Sequence, residues 1–151
     1  MTKKARLGIL LSGRGSNFEA IYQAIERQGI TDTDITVVIS NKIDARGLET
    51  AKNYGLNAIH VPPTGLCSPE TYDTAVLKHL KDAQVDFVIL AGYMRILSDV
   101  LLEAYPNRII NIHPSLLPKY GGKGMFGHKV HQAVIDAKES QSGCTVHIVT
   151  K

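Results

Sequence analysis

Short apolar runs recur along the chain, separated by segments in which apolar residues return every three or four positions. Runs that are apolar throughout, without alternation, are typical of strands buried on both faces of a parallel sheet. Several are rich in β-branched residues, as in DITVVISN at 34–41. The pattern predicts strands at residues 6–12, 34–41, 57–62, 85–92, 108–114 and 143–151.

The segments between these runs have the period of amphipathic helices. In NFEAIYQAIERQGI, the side chains of Phe18, Ile21 and Ile25 share one face, and Gly29 follows as a stop signal. Ser68 and Pro69 are of the types preferred at an N-cap and at the first helical position. Helices are predicted at residues 17–30, 45–55, 68–84, 98–106 and 127–138.

Strands that alternate with helices in this way indicate an α/β fold. The apolar strands favour a doubly wound, mostly parallel sheet covered by helices on both faces. At 151 residues, a single domain over 1–151 is the natural expectation. In such sheets ligands bind beyond the carboxyl ends of the strands, so polar residues at those ends are the first candidates for function.

Composition and charge exclude several classes of protein. No stretch approaches the roughly 20 apolar residues of a membrane span, and the apolar run after MTKKA is better explained by a first strand than by a signal peptide. The net charge of +3 is scattered, which gives no argument for nucleic acid. Cys67 and Cys144 match no metal spacing and fit a reduced, cytoplasmic protein.

The junction between the first strand and the first helix, LLSGRGSNFEAI, is a candidate anion site. Glycine lets the backbone approach a ligand, and Gly15, Ser16 and Asn17 precede free N–H groups at the helix start. Phe18 occupies the place of the third glycine of a dinucleotide fingerprint, which favours a single phosphate over NAD. The alternative is a tight turn in which Ser16 or Asn17 caps the helix.

Asn111 and His113 end the fifth predicted strand and, being two residues apart, are expected to share a face. A histidine can move a proton from an attacking amine, and an amide can donate to a developing oxyanion. The pair therefore fits direct acyl transfer between two bound substrates. The alternative is that both side chains only satisfy backbone groups of the loop.

Other polar residues gave weaker signals. Arg95 follows an apolar strand and could hold a carboxylate or pair with Asp99 four residues on. His128 and His131 are three apart on a predicted helix, but two histidines alone are weak evidence, so no metal is predicted. His147 alternates with Val146 and Ile148 on a strand, so it could face the crevice, and a structural histidine is the preferred interpretation.

Three segments in matching order, SGRGSN at 12–17, AGYMRILS at 91–98 and NIHPSLLPKY at 111–120, resemble the phosphoribosylglycinamide formyltransferase family of purine biosynthesis. NIHPSLLP alone is similar to a wider group that includes methionyl-tRNA formyltransferase and formyltetrahydrofolate deformylase. The resemblance implies a Rossmann-like formyltransferase fold. It also implies formyl transfer from 10-formyltetrahydrofolate, as cosubstrate, to the amine of glycinamide ribonucleotide.

The resemblance also implies roles for individual residues. Gly15, Ser16 and Asn17 would hold the ribonucleotide phosphate, and Asn111 and His113 would be catalytic, with Asn111 also next to the folate. The residues that would line the folate pocket are Met94, Arg95, Ile96 and Leu97. A monomer or homodimer without nucleic-acid or membrane partners is expected. The alternatives are another formyltransferase, a deformylase or a noncatalytic nucleotide-binding fragment.

Two departures from the family pattern stand out. Pro69 lies near a position where the family often has an arginine that contacts a ligand, so that contact is expected to be absent or supplied elsewhere. The family strand that matches TVHIVTK continues into a segment with a catalytic aspartate, which would lie beyond Lys151. From the resemblance we expect a fragment of a longer chain that lacks the C-terminal strand and helix, with little activity of its own.

Overall fold

Strands and helices alternate along residues 4–63, 68–113 and 145–150, the part of the chain that this computed structural model describes. The strands are β1 (Ala5–Leu11), β2 (Thr33–Ser40), β3 (Ala58–His60), β4 (Phe87–Leu90), β5 (Ile109–His113) and β6 (Thr145–Ile148). The helices are α1 (Ser16–Glu26), α2 (Arg46–Asn53), α3 (Pro69–Asp82) and α4 (Asp99–Ala104). Each predicted element in these ranges is confirmed in kind, whereas the predicted helix at 127–138 lies outside them.

The strands form one sheet in the order β3-β2-β1-β4-β5-β6. The first five strands of that order pair in parallel, and β6 pairs antiparallel with β5. The prediction of a mostly parallel sheet is therefore confirmed.

Hydrophobic cores lie on both faces of the sheet. In β1 the side chain of Leu10 packs in one core with residues of α3 and α4, such as Val76 and Leu101. Its neighbours Ile9 and Leu11 pack in the other core with residues of α1 and α2. Because successive strand residues point to opposite faces, an apolar run such as β1 supplies both cores at once. The doubly wound arrangement is thus confirmed.

Helix ends follow the expected chemistry with one difference. Ser68 caps α3 by accepting a hydrogen bond from the Thr71 N–H at 3.1 Å, as predicted. Helix α1 ends at Glu26 rather than at residue 30, because Gln28 adopts a left-handed conformation with φ of 62°. The Gly29 N–H then turns back to the carbonyl of Ala24 at 2.8 Å, which closes the helix earlier than the glycine signal suggested.

The strand order reverses next to β1, which lies between β2 and β4. Beyond the carboxyl ends of β1 and β4, the connecting loops leave toward opposite faces and open the crevice in which such folds bind ligands. One row of paired residues crosses the sheet just below this crevice, running Leu10, Leu90, Asn111, His147. Paired residues on neighbouring strands share a face of the sheet. Asn111 and His147 therefore lie on the same face as Leu10 and Leu90 and are the polar members of this row.

Candidate active site

The loop from β1 to α1 presents the start of a helix at the crevice. Gly15 is left-handed, with φ of 74° and ψ of 30°, and its carbonyl accepts from the Glu19 N–H at 2.8 Å. Ser16 and Asn17 follow in the first turn with exposed side chains, where helix N–H groups have no partner within the helix. A Cβ atom at Gly13 would meet nothing within 4 Å, so a ligand can approach that backbone closely.

Glycine is required in this loop for a second reason, which is contact with α2. The Gly47 N–H donates to the Gly13 carbonyl at 3.0 Å, so the first turn of α2 lies against the loop. A Cβ atom on Gly15 would come within 2.9 Å of the Gly47 Cα atom. The left-handed turn and the close contact together fix the direction in which the N-terminus of α1 points.

Ser12, at the end of β1, joins three strand ends. Its side chain donates to Asn41 Oδ1 at 2.6 Å and accepts from the Met94 N–H at 2.9 Å. Its own N–H donates to the Gly92 carbonyl at 3.2 Å. Ser12 and Asn41 are both buried, so this contact is a fixed part of the crevice floor. The loop after β1 and the loop after β4 are thereby held side by side.

The loop after β4, residues 91–98, exposes apolar side chains toward solvent. Met94 is 47% exposed and Ile96 is 66% exposed, whereas Leu97 is partly buried against the core. The C-terminal end of this loop is anchored by Asp73 of α3, whose Oδ2 atom accepts from the N–H and the hydroxyl of Ser98, each at 2.7 Å. The loop is therefore held near both ends, with apolar surface free between them.

Arg95 stacks on an aromatic ring. Its guanidinium carbon lies 3.8 Å from the centroid of the Tyr72 ring, in α3. Tyr72 is itself buried and donates from its hydroxyl to the Val61 carbonyl at 2.8 Å. Stacking of this kind holds the cation in place and leaves its outer N–H groups available for a planar anion.

Tyr93 places a hydroxyl in the core between these loops. Burial raises the pKa of Tyr93 well above its usual range, and the neighbouring Tyr72 adds to the effect. Its polar neighbour is the Tyr72 hydroxyl, which donates to the Val61 carbonyl, and among the described residues the Tyr93 hydroxyl makes no hydrogen bond of standard geometry. The phenol is therefore kept neutral by its surroundings.

Tyr93→Phe is expected to leave the free energy of unfolding at pH 7 unchanged or slightly higher, because the buried hydroxyl that is removed makes no hydrogen bond of standard geometry. Above pH 10 the unfolded chain releases the phenolic proton and the folded chain keeps it, so rising pH favours unfolding. The stability contributed by that proton is full below pH 10 and falls by up to about 1.4 kcal/mol per pH unit above it. Urea unfolding at pH 7 to 11 should show a shallower alkaline decline in the variant; equal declines would contradict the assignment.

Asn111 is half-buried on β5 and paired with a histidine of β6. Its Nδ2 atom lies 3.3 Å from His147 Nε2, which is a hydrogen bond when the neutral imidazole carries its proton on Nδ1. An amide nitrogen has two N–H groups, so one can be held by His147 while the other stays free. The backbone of His113 pairs with Thr145 further along the same strands, and its side chain lies outside the described residues.

The structure brings most of the predicted site residues to the carboxyl ends of the parallel strands. Gly15, Ser16 and Asn17 follow β1, the segment 94–97 follows β4, and Asn111 lies near the end of β5. Ser12 and Asn41 are not among the site residues predicted from the sequence, and for His147 a structural role was the preferred interpretation. A serine before the glycines and a polar residue ending β2 were the available signals.

Some expectations concern residues beyond the described ranges. His128, His131, Cys67 and Cys144 lie outside them. Within residues 4–63, 68–113 and 145–150, no cluster of three potential metal ligands occurs. Among the helices in the same ranges, none has the length and apolar character needed to cross a bilayer.

Comparison with known proteins adds a family to this geometry. The formyl transferase family model matches residues 5–151. A curated phosphoribosylglycinamide formyltransferase from Escherichia coli K12 is 39% identical, over 94% of this chain and 64% of that protein. A chloroplastic one from Vigna unguiculata is 41% identical, over 97% of this chain and 47% of that protein. The chain spans about half the length of the plant relatives that it matches.

Solved structures agree with both sequence and fold. Glycinamide ribonucleotide transformylase 1 from Symbiobacterium toebii superposes with a TM-score of 0.88 at 41% identity, over 97% of this chain and 66% of that one. The phosphoribosylglycinamide formyltransferase from Bacillus halodurans superposes with a TM-score of 0.86 at 38% identity, over 97% of this chain and 72% of that one. With a matching family model, relatives near 40% identity and the same sheet, this chain belongs to the formyl transferase family, among the phosphoribosylglycinamide formyltransferases.

Proposed function

We propose that this protein transfers a formyl group from 10-formyltetrahydrofolate to the amine of glycinamide ribonucleotide in purine biosynthesis. Family membership supports the reaction class, since relatives of similar sequence carry that name. The observation that carries the proposal is the direct join between the two loops, where the Ser12 hydroxyl accepts from the Met94 N–H at 2.9 Å. It sets an anion-binding helix start beside an exposed apolar loop, as a reaction between a phosphorylated and a bulky planar substrate requires.

The phosphate of glycinamide ribonucleotide binds at the start of α1 in this proposal. Gly15, Ser16 and Asn17 supply N–H groups and short polar side chains there, and the dipole of α1 favours a negative charge at that end. Open space in front of Gly13 gives the phosphate room to approach the backbone.

The folate cosubstrate lies along the loop after β4. Met94, Ile96 and Leu97 offer apolar contact to the flat ring system, and the backbone groups of this segment read its polar edge. Arg95, held against Tyr72, is available to a carboxylate of the folate. The proposed transfer uses no metal ion.

In the transfer step the amine nitrogen of glycinamide ribonucleotide attacks the formyl carbon, and the carbonyl oxygen gains negative charge. The free N–H of Asn111 donates to that oxyanion while His147 holds the other N–H. The bond from the formyl carbon to the folate nitrogen then breaks and tetrahydrofolate leaves. His113 moves a proton away from the attacking amine, and the folate nitrogen gains one.

The direct test is a transfer assay with the complete gene product. Incubation with both substrates should yield formylated glycinamide ribonucleotide and tetrahydrofolate in equal amounts. Mass spectrometry measures the first product, and the change in folate absorbance measures the second. Formate released without an acceptor would instead identify a deformylase. Binding of both ligands without any turnover would identify a noncatalytic nucleotide-binding module.

The phosphate site is tested by Ser16→Glu. A carboxylate at the start of α1 would repel the phosphate, so KM for glycinamide ribonucleotide should rise far more than KM for 10-formyltetrahydrofolate. Gln23→Glu is the matched control, because it adds the same charge on an exposed position of the same helix, away from the crevice. An equal rise in both KM values for Ser16→Glu would contradict the phosphate assignment.

The cytoplasmic location and the monomeric or homodimeric state stay predictions from the sequence. Two plant relatives carry the name chloroplastic, so the compartment differs among proteins similar to this one. Size-exclusion chromatography with light scattering measures the oligomeric state directly.

A further inference from the structure

We propose that Ser12 is a positioning residue that sets the folate-binding loop in register with the phosphate-binding loop. This inference rests on the proposed function for the identity of the two ligands. No contact with either ligand is assigned to Ser12 in the proposed function. Ser12 acts on the Met94 N–H, the first backbone group of the segment 94–97.

The geometry requires a group that donates and accepts at the same atom. The Ser12 oxygen accepts from the Met94 N–H at 2.9 Å and donates its own proton to Asn41 Oδ1 at 2.6 Å. A hydroxyl does both, whereas an alanine does neither. Ser12 is 3% exposed, so water has little access to replace it. Its removal leaves the Met94 N–H and the Asn41 oxygen without these partners.

Movement of the loop is confined by its other contacts. Residue 91 is held through its N–H to the Leu10 carbonyl at 2.9 Å, and Ser98 is held by Asp73. Between these anchors, the Ser12 backbone N–H donates to the Gly92 carbonyl at 3.2 Å and the Ser12 hydroxyl accepts from the Met94 N–H at 2.9 Å. The side chains of Met94 and Arg95 make their own contacts, with Lys42 and with the Tyr72 ring. Loss of the Ser12 hydroxyl should therefore release the backbone at Met94, while both ends of the loop and the backbone bond to Gly92 stay in place. A change in ligand affinity without a change of fold is the expected signature.

The test compares Ser12→Ala with Ser40→Ala. Ser40 ends the neighbouring strand β2, is fully buried, and its hydroxyl accepts from the Lys42 N–H at 3.0 Å within its own loop. Both variants lose one buried serine hydroxyl, but only the first loses a bond to the folate loop. Titration calorimetry with tetrahydrofolate and with glycinamide ribonucleotide, and hydrogen exchange at the Met94 amide, are measured on both proteins.

Ser12→Ala should raise Kd for tetrahydrofolate roughly tenfold or more and speed exchange at the Met94 amide, because an N–H bond that positions the loop is lost. Ser40→Ala should change neither. Ser12→Cys places a weaker acceptor in a similar volume, so its Kd for tetrahydrofolate and its exchange rate at Met94 should lie between those of wild type and Ser12→Ala. It replaces the alanine variant in the test if that variant does not fold. Unchanged affinity or unchanged exchange in both Ser12 variants overturns the inference, as does an equal effect of Ser40→Ala. Failure of the wild-type protein to bind tetrahydrofolate overturns the proposed function instead.

Discussion

Replacing Asn111 with alanine in the complete gene product is expected to lower kcat for formyl transfer by roughly 100- to 1000-fold. The amide N–H is needed only when the formyl oxygen becomes an oxyanion, so both KM values should change little. The position is set by β5, whose Asn111 pairs with Leu90 on one side and His147 on the other. Steady-state rates at saturating concentrations of both substrates measure the effect.

The controls separate the chemistry of Asn111 from its packing. Asn53→Ala removes the same amide from an exposed position at the end of α2 and should leave kcat unchanged. His147→Gln keeps an acceptor for the Asn111 amide and should retain most activity, whereas His147→Ala should lose more. A near-normal kcat for Asn111→Ala in a folded protein would remove this residue from the mechanism.

The fold could be predicted from the sequence because its strands are buried on both faces. The run LGILL at 7–11 contains no polar residue, and that lack of alternation separates a parallel sheet from an antiparallel one with a solvated face. The direction of β6 could not be read in the same way, since its pairing with β5 depends on how the chain returns to the sheet. In the structure it runs antiparallel and brings His147 beside Asn111.

The site was predictable in part for an equally physical reason. Residues that follow strands at one edge of a parallel sheet must lie near one another, so Ser16, Met94 and Asn111 could be grouped before any coordinates. The contacts that fix the relative positions of these residues could not be predicted from the sequence. Ser12 and Asn41 are 29 residues apart, and only the pairing of β1 with β2 brings them within 2.6 Å.

Gly15→Ala is expected to lower the free energy of unfolding by about 3 kcal/mol, as the sum of two effects. A side chain disfavours the left-handed backbone found here, with φ of 74°. The added methyl group would also lie 2.9 Å from the Gly47 Cα atom, where only a backbone shift can relieve the contact. Urea unfolding measures the change, and calorimetry with glycinamide ribonucleotide should show weaker binding because the start of α1 is displaced.

Gly55→Ala separates the two effects, because Gly55 has nearly the same backbone angle, with φ of 77°, but nothing lies within 4 Å of its added methyl group. That variant should lose only about 1 kcal/mol, the cost of the left-handed conformation, and bind glycinamide ribonucleotide normally. If both alanine variants lose the same stability and Gly15→Ala also binds normally, the contact with α2 does not shape the phosphate site. A larger loss confined to Gly15→Ala, together with weaker binding, would mean that the first turn of α2 sets the direction in which α1 presents its N–H groups to the phosphate.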